Sequence, residues 1–264
     1  MYFVGLDLAW SCANRTGIAV IDRDGYLVRV CAAVADDEII GSIEPYVRGD
    51  CLIGIDAPLI VTNPTGYRVG ETWLNRHFSP FQAAAQPANT GNCLFDPPRG
   101  AVLAAVLELD MDPSSTSTRR AIEVYPHPAS ISLFNLGRTL KYKRRNRDAV
   151  NRKSELSKLV TLMDGLAARD PALRLAGCQD WVQLRADVVA AIRPFELNAC
   201  EDPIDAVLCA YIALYAHHRP DDVTTYGDFE TGYIVTPTLP PDLKPTTSAT
   251  LRILRRHTGN AAGV

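Results

Sequence analysis

The chain has 264 residues, of which 47% are hydrophobic, and a formal net charge of −3. This length and composition exclude a disordered protein and favour one large domain over two. No apolar run reaches the roughly 20 residues of a membrane-spanning helix, and no basic segment precedes an apolar one, so we expect a cytoplasmic protein with no membrane partner.

The first third of the sequence predicts a mixed sheet. Strand-like runs occupy residues 2–9, 17–22 and 26–34. The Arg23-Asp24-Gly25 turn joins the last two runs as an antiparallel hairpin. A helix over 36–47 followed by a strand over 51–59 implies a right-handed crossover and a parallel neighbour. The predicted fold class is therefore α/β, with an antiparallel three-strand meander, parallel strands and flanking helices.

The remaining sequence predicts a long insertion and a helical second half. Residues 62–98 are rich in Asn, Pro, Thr, Gly and Gln, which indicates a partly helical insertion lying over a site. Further predicted elements are helices over 99–110, 129–136, 151–168, 178–192 and 204–217, and strands over 121–125 and 232–235. Residues 1–242 then form a single domain, and 243–264 form a basic C-terminal tail.

Three acids stand in otherwise apolar strands. A strand that is buried on both faces accommodates an unpaired carboxylate only at high cost, so Asp7 must be protonated, meet a protein cation or bind a metal. Asp56 ends a second such strand, at the position where open α/β sheets gather ligands. Glu123 follows the same pattern, although a strand with one exposed face tolerates an acid without any function.

A fourth candidate lies where the late apolar helix is predicted to begin. Asp202 is the expected N-cap and Pro203 the expected first helical residue. Asp205 lies beside Ile204 and Leu208, so its side chain is expected to face the sheet, with a role restricted to the first helical turn as the alternative.

Acids that converge on one sheet edge form an oxygen-rich site that suits Mg²⁺ or Mn²⁺. We therefore predict Asp7, Asp56 and Asp205 as metal ligands and catalytic residues, with Glu123 as a further catalytic candidate. Two such ions activate a water and stabilise the leaving oxygen of a phosphodiester.

A basic stretch from Arg138 to Lys158 is the candidate phosphate-contacting surface, with Lys141 and Lys143 nearest the acids. The alternative is a solvated helix face. His127, between two prolines, is a candidate general base or phosphate donor, or a residue that packs in a turn.

Other chemistries lack their motifs. The seven cysteines include no CxxC pair, which argues against a zinc or disulfide-exchange site. No nucleophile elbow, GxGxxG or P-loop motif is present, which argues against serine hydrolase, dinucleotide and P-loop chemistry.

Several short motifs occur in order along nearly the whole chain. They are Gly5-Leu6-Asp7-Leu8-Ala9-Trp10 with Thr16-Gly17, Gly54-Ile55-Asp56-Ala57-Pro58-Leu59, Glu123-Val124-Tyr125-Pro126-His127-Pro128, Lys141-Tyr142-Lys143, Asp205-Ala206 and Gly232-Tyr233-Ile234. Together they resemble the family catalogued as domain of unknown function 429, described as predicted nucleases with an RNase H-like fold.

The resemblance implies an RNase H-like sheet and a set of metal ligands. In enzymes of that superfold, a first-strand Asp, an acid at the end of the fourth strand and an acid on a late helix bind the metals. The matching residues are Asp7, Asp56 and Asp205. Glu123 belongs to the family-like motif rather than to this acid set.

Three functions follow as hypotheses. The first is a metal-dependent nuclease in which Lys141 or Lys143 grips phosphate. Nucleic acid is its candidate partner, although the net charge of −3 gives no support for this partner. The second is a nucleotide-binding phosphotransferase of the actin and sugar-kinase type, which requires a second half with its own glycine-rich phosphate turn. The third is a non-catalytic regulatory protein of the same fold. The sequence gives no oligomeric state.

Overall fold

The computed structural model describes residues 1–143 and 148–246. The strands are β1 (Tyr2–Asp7), β2 (Thr16–Asp22), β3 (Leu27–Ala33), β4 (Cys51–Ile55), β5 (Arg119–Glu123), β6 (Val223–Asp228) and β7 (Gly232–Pro237). The α-helices are α1 (Asp36–Val47), α2 (Val69–Phe78), α3 (Arg99–Val106), α4 (Pro126–Phe134), α5 (Ala149–Asp164), α6 (Gln179–Ala190) and α7 (Pro194–His218). Most of the predicted basic tail and part of the basic stretch lie outside the described residues.

The predicted mixed sheet is confirmed. Its strand order is β3-β2-β1-β4-β5, in which β1, β2 and β3 pair antiparallel and β1, β4 and β5 pair parallel. At the β2–β3 turn, the Asp22 carboxylate accepts hydrogen bonds from the backbone N–H groups of Asp24 and Tyr26, each at 2.9 Å. Gly25 has a φ of +83°, a conformation that glycine adopts without strain. This is the arrangement expected of an RNase H-like sheet.

Glycines bring the long helix α7 onto one face of the sheet. A Cβ atom on Gly5 would lie 2.0 Å from the carbonyl oxygen of Ala206, and one on Gly54 would lie 2.5 Å from that of Cys209. Only glycine permits this approach of a helix backbone to a strand. Helices α5 and α6 pack on the other side of α7, which explains why α7 is apolar on nearly all sides.

The start of α7 differs from the prediction. The helix begins at Pro194, where the Glu196 side chain accepts a hydrogen bond from the backbone N–H of Arg193 at 2.9 Å. Asp202 is therefore not the N-cap, and Pro203 lies inside the helix. The prediction was wrong because a proline in a helix resembles a helix start when only the downstream residues are apolar.

The insertion is partly helical, as predicted, and contains α2 and a 3₁₀ turn at Ser79–Phe81. Strand β6, which the sequence analysis missed, pairs antiparallel with β7. Among residues 1–143 and 148–246, no helix combines the length and apolar character that crossing a membrane requires.

Candidate functional site

Two of the predicted acids reach the same level of the sheet from neighbouring parallel strands. Gly5 pairs with Gly54 in the β1–β4 register, so the Gly-x-Asp sequence of each strand places Asp7 beside Asp56. Neighbouring strands lie about 4.8 Å apart. Because side chains alternate between faces, both carboxylates share the face on which the glycines meet α7.

Helix α7 supplies the third acid. Asp205 is fully buried, next to the Ala206 carbonyl that packs on Gly5. The Tyr142 hydroxyl donates a hydrogen bond to Asp205 Oδ1 at 2.7 Å. Asp205 Oδ2 is buried without a hydrogen bond and lies 2.6 Å from Lys143 Nζ, as an ion pair. Asp205 is therefore buried within the fold, and its carboxylate meets the segment that carries Tyr142 and Lys143.

Lys143 links the helix acid to the strand acid. Its ammonium lies 3.1 Å from Asp7 Oδ2 as well as 2.6 Å from Asp205 Oδ2. Burial lowers the pKa of Lys143, but the carboxylates of Asp205 and Asp7 outweigh it and hold that pKa well above its ordinary value. The protein thus supplies one cation of its own to this acid cluster.

Within residues 1–143 and 148–246, the one ammonium at the cluster does not compensate three carboxylates. Burial, with repulsion from Asp205, raises the pKa of Asp7 from 3.8 to about 7 although Lys143 opposes the shift. Burial and repulsion from Asp7 raise the pKa of Asp56 well above its ordinary value. Among the described residues, no group donates a hydrogen bond to the Asp56 carboxylate. We call Asp7, Asp56 and Asp205 the aspartate cluster.

The Glu123 side chain projects from the opposite face of the sheet. It pairs with Ile55 in the β4–β5 register, one position out of phase with Gly54. Arg68 donates to both of its carboxylate oxygens, at 2.5 and 2.8 Å, and the backbone N–H of Leu59 donates to one of them at 2.9 Å. Glu71 accepts from the same guanidinium at 2.8 Å. We call Arg68, Glu71 and Glu123 the arginine cluster.

The predicted phosphate-binding residues have partners within the protein. Lys141 is 5% exposed, and its ammonium donates to the Gln82 carbonyl at 3.3 Å. Burial and the nearby Lys143 lower the pKa of His127 to about 4, which makes it neutral at pH 7. Its Nδ1 lies 3.2 Å from the Thr139 hydroxyl. In the basic stretch, Arg138 pairs with Glu155.

A buried arginine on α5 positions the Tyr142-Lys143 segment. Arg152 donates to the Tyr142 carbonyl at 2.8 Å and to Asn198 Oδ1 at 2.6 Å, and it pairs with Glu201 on α7. It therefore ties the backbone of Tyr142 to the helix that carries Asp205. Arg152 lies within the basic stretch predicted to contact phosphate, and Tyr142 lies in the Lys141-Tyr142-Lys143 motif, but neither was predicted to position an acid.

Comparison with protein families identifies the chain. A family model described as "Protein of unknown function (DUF429)" matches residues 5–231. The chain belongs to the DUF429 family. Comparison with curated proteins and with solved structures gave no significant match.

The donor chemistry of this DUF429 protein suits a hard divalent cation, because the aspartate cluster offers only carboxylate oxygens. One buried oxygen, Asp205 Oδ2, accepts no hydrogen bond. Among the described residues, however, no three His, Cys, Asp or Glu side chains are grouped closely enough to hold a metal ion by themselves. The Lys143 ammonium pairs with both Asp7 and Asp205, so a metal ion can bind these carboxylates only if the ammonium moves away.

Proposed function

We propose that this DUF429 protein is a divalent-metal-dependent phosphodiesterase, with nucleic acid as its substrate class and Mg²⁺ or Mn²⁺ as its cofactor. The observation that carries the proposal is the aspartate cluster, in which two half-buried carboxylates on neighbouring strands meet the buried Asp205 of α7, and, among the described residues, one ammonium pairs with Asp7 and Asp205. Buried acids with strongly perturbed pKa values in this arrangement are typical of functional sites.

In this proposal, Asp7, Asp56 and Asp205 hold the metal, which supplies the Lewis acid and the activated water. Tyr142 fixes the Asp205 carboxylate through Oδ1, so that Oδ2 remains directed at the cation. Lys143, released from Asp7 and Asp205, is the candidate phosphate contact. Glu123, held by Arg68, positions the end of β5 and touches no substrate.

A non-catalytic regulatory role is the second candidate, and the observation that favours it is the ion pair of Lys143 with Asp7 and Asp205. If this ammonium is the permanent counter-ion, the cluster needs no metal. The phosphotransferase hypothesis has less support, because the described residues contain a single five-stranded sheet and one two-stranded sheet rather than two related halves.

Hydrolysis of fluorescently labelled single-stranded and double-stranded oligonucleotides with Mn²⁺ or Mg²⁺ tests the proposal. We expect cleavage by the wild type, a loss of at least 100-fold in Asp7→Asn and Asp56→Asn, and full activity in Asp221→Asn, which removes an exposed acid outside the site. Cleavage that persists in both site variants, or no cleavage in any sample, overturns it.

A further inference from the structure

Two open clefts adjoin near Asp7, one of which includes Asp7 in its lining. The first has a volume of about 620 Å³ and is lined by Asp7 and Asp202, among others. The second has a volume of about 600 Å³ and extends between α6 and α7. Arg15, Phe195 and Ala199 line both clefts, so the two form one groove that runs away from Asp7.

The first cleft carries the polar groups that a sugar phosphate needs. Arg15 is exposed and makes no hydrogen bond or ion pair with the described residues. Asn14 and Asn198 line the same cleft and both residues are exposed, although Asn198 Oδ1 already accepts from Arg152. An unpaired guanidinium beside amide groups, next to the carboxylates proposed to hold a metal, suits a phosphate with its attached sugar.

The second cleft has mainly apolar walls. Its walls include Val30, Leu184 and Pro203, which are apolar. Three acids also line it, namely Asp180, Asp187 and Glu196. No residue of the aspartate cluster does, so no proposed metal ion offsets their negative charges against a phosphate there. Carboxylates and apolar walls together suit a flat, uncharged group with hydrogen-bond donors on its edge, which describes a nucleobase.

Phe195 stands where the two clefts meet. The residue is 57% exposed, although it lies beside the candidate site, and the guanidinium carbon of Arg193 lies 4.4 Å from the centre of its ring. Exposed aromatic rings of this kind serve as stacking platforms for the bases of single-stranded nucleic acids.

We propose that the second cleft is a base-binding subsite, in which a nucleobase stacks on Phe195 while its phosphate lies between Arg15 and Asp7. The inference rests on the proposed function and narrows it: the substrate is the unpaired end, or another single-stranded part, of a nucleic acid. A paired base has its edge occupied and its faces stacked, so it does not enter this cleft.

Equilibrium titration with 2-aminopurine riboside 5′-monophosphate, followed by its fluorescence in Mg²⁺ buffer, tests the subsite without requiring hydrolysis. We expect saturable quenching by the wild type and roughly tenfold weaker binding by Phe195→Ala. The matched control is Phe229→Ala, which removes another exposed phenylalanine, 42% exposed, at the turn between β6 and β7. Its affinity should equal that of the wild type.

Ribose 5-phosphate as a competitor separates the two parts of the groove. We expect Arg15→Gln to weaken the binding of both probes, whereas Phe195→Ala weakens only the binding of the nucleotide.

Three outcomes overturn the subsite. They are the absence of saturable nucleotide binding, equal nucleotide binding by Phe195→Ala and wild type, and an equal loss of binding of both probes in Phe195→Ala. Nucleotide binding that depends on Phe195 without metal-dependent cleavage rejects the phosphodiesterase and keeps the subsite. Metal-dependent cleavage that is unchanged in Phe195→Ala rejects the subsite and keeps the phosphodiesterase.

Discussion

The aspartate cluster and the arginine cluster lie at the same end of the sheet, on opposite faces, and differ in how their charges are compensated. Arg68 meets Glu71 and Glu123 with charged hydrogen bonds, and backbone N–H groups add further donors to both acids. In the aspartate cluster, the described residues offer one ammonium, which pairs with Asp7 and Asp205, and one phenol, which donates to Asp205. The acids of the arginine cluster are therefore paired with a protein cation, whereas burial and repulsion between carboxylates raise the pKa values of Asp7 and Asp56, which we propose a bound cation would reverse.

The largest effect is expected from removing the cation of the arginine cluster. Arg68→Met leaves two buried carboxylates without their counter-ion, which lowers the free energy of unfolding by about 3–5 kcal/mol. Urea denaturation measures the change. The control is Arg23→Met, which removes an exposed arginine paired with Asp24 at 3.8 Å and should change stability by less than about 0.5 kcal/mol. Equal losses of stability from the two substitutions would contradict the expectation that the arginine cluster stabilises the fold.

The pH dependence of stability tests the uncompensated charge. In the metal-free protein, folding raises the pKa of Asp7 from 3.8 to about 7. The folded protein then keeps a proton that the unfolded chain has lost, so the free energy of unfolding falls as the pH rises through this window, by about 2–4 kcal/mol. Asp7→Asn should flatten the profile there. An unchanged profile in urea denaturation across pH would contradict the assignment.

A smaller change is expected from substituting Asp56, and here stability should increase. Its carboxylate is raised in pKa, and among the described residues no group donates a hydrogen bond to it. Asp56→Asn removes a half-buried carboxyl whose ionisation is unfavourable in the fold, so we expect the metal-free protein to gain about 1–2 kcal/mol in the free energy of unfolding at neutral pH. Thermal denaturation in a chelator measures it, and a loss of stability would show that the carboxylate has a structural partner.

The smallest effect is expected at Asp202, which lines the cleft beside Asp7 and does not cap α7. Asp202→Ala should not lower the free energy of unfolding, because burial raises the pKa of this carboxyl to about 6 and the side chain caps no helix. Asp148→Ala removes the side chain that accepts from the N–H of Val150 at the start of α5, and it should cost about 1 kcal/mol. Comparable losses for the two variants would restore the predicted capping role of Asp202.

The aspartate cluster was largely predictable because its acids lie in local patterns. The repeated Gly-x-Asp sequence marks both strands, and the apolar neighbours of Asp205 indicate the face that it occupies. The different face of Glu123 was not predictable, since it depends on the register between β4 and β5.

The long-range partners were not predictable either. Arg68 reaches Glu123 across 55 residues of sequence. Lys143 reaches Asp7 across 136 residues, and the sequence placed this lysine near the acids without specifying the ion pair. No periodicity or spacing specifies such contacts, because they depend on where the insertion and the segment before α5 pack. The long-range charge pairs that distinguish the two clusters therefore emerge only in the folded chain.

Calorimetric titration of Mn²⁺ tests most directly whether the aspartate cluster binds a divalent cation. The account predicts saturable binding by the wild type, loss of binding in Asp7→Asn, unchanged binding in Asp221→Asn, and at least tenfold tighter binding in Lys143→Met, where the competing ammonium is gone. The absence of binding in both the wild type and Lys143→Met would contradict the account and assign Lys143 as the permanent counter-ion.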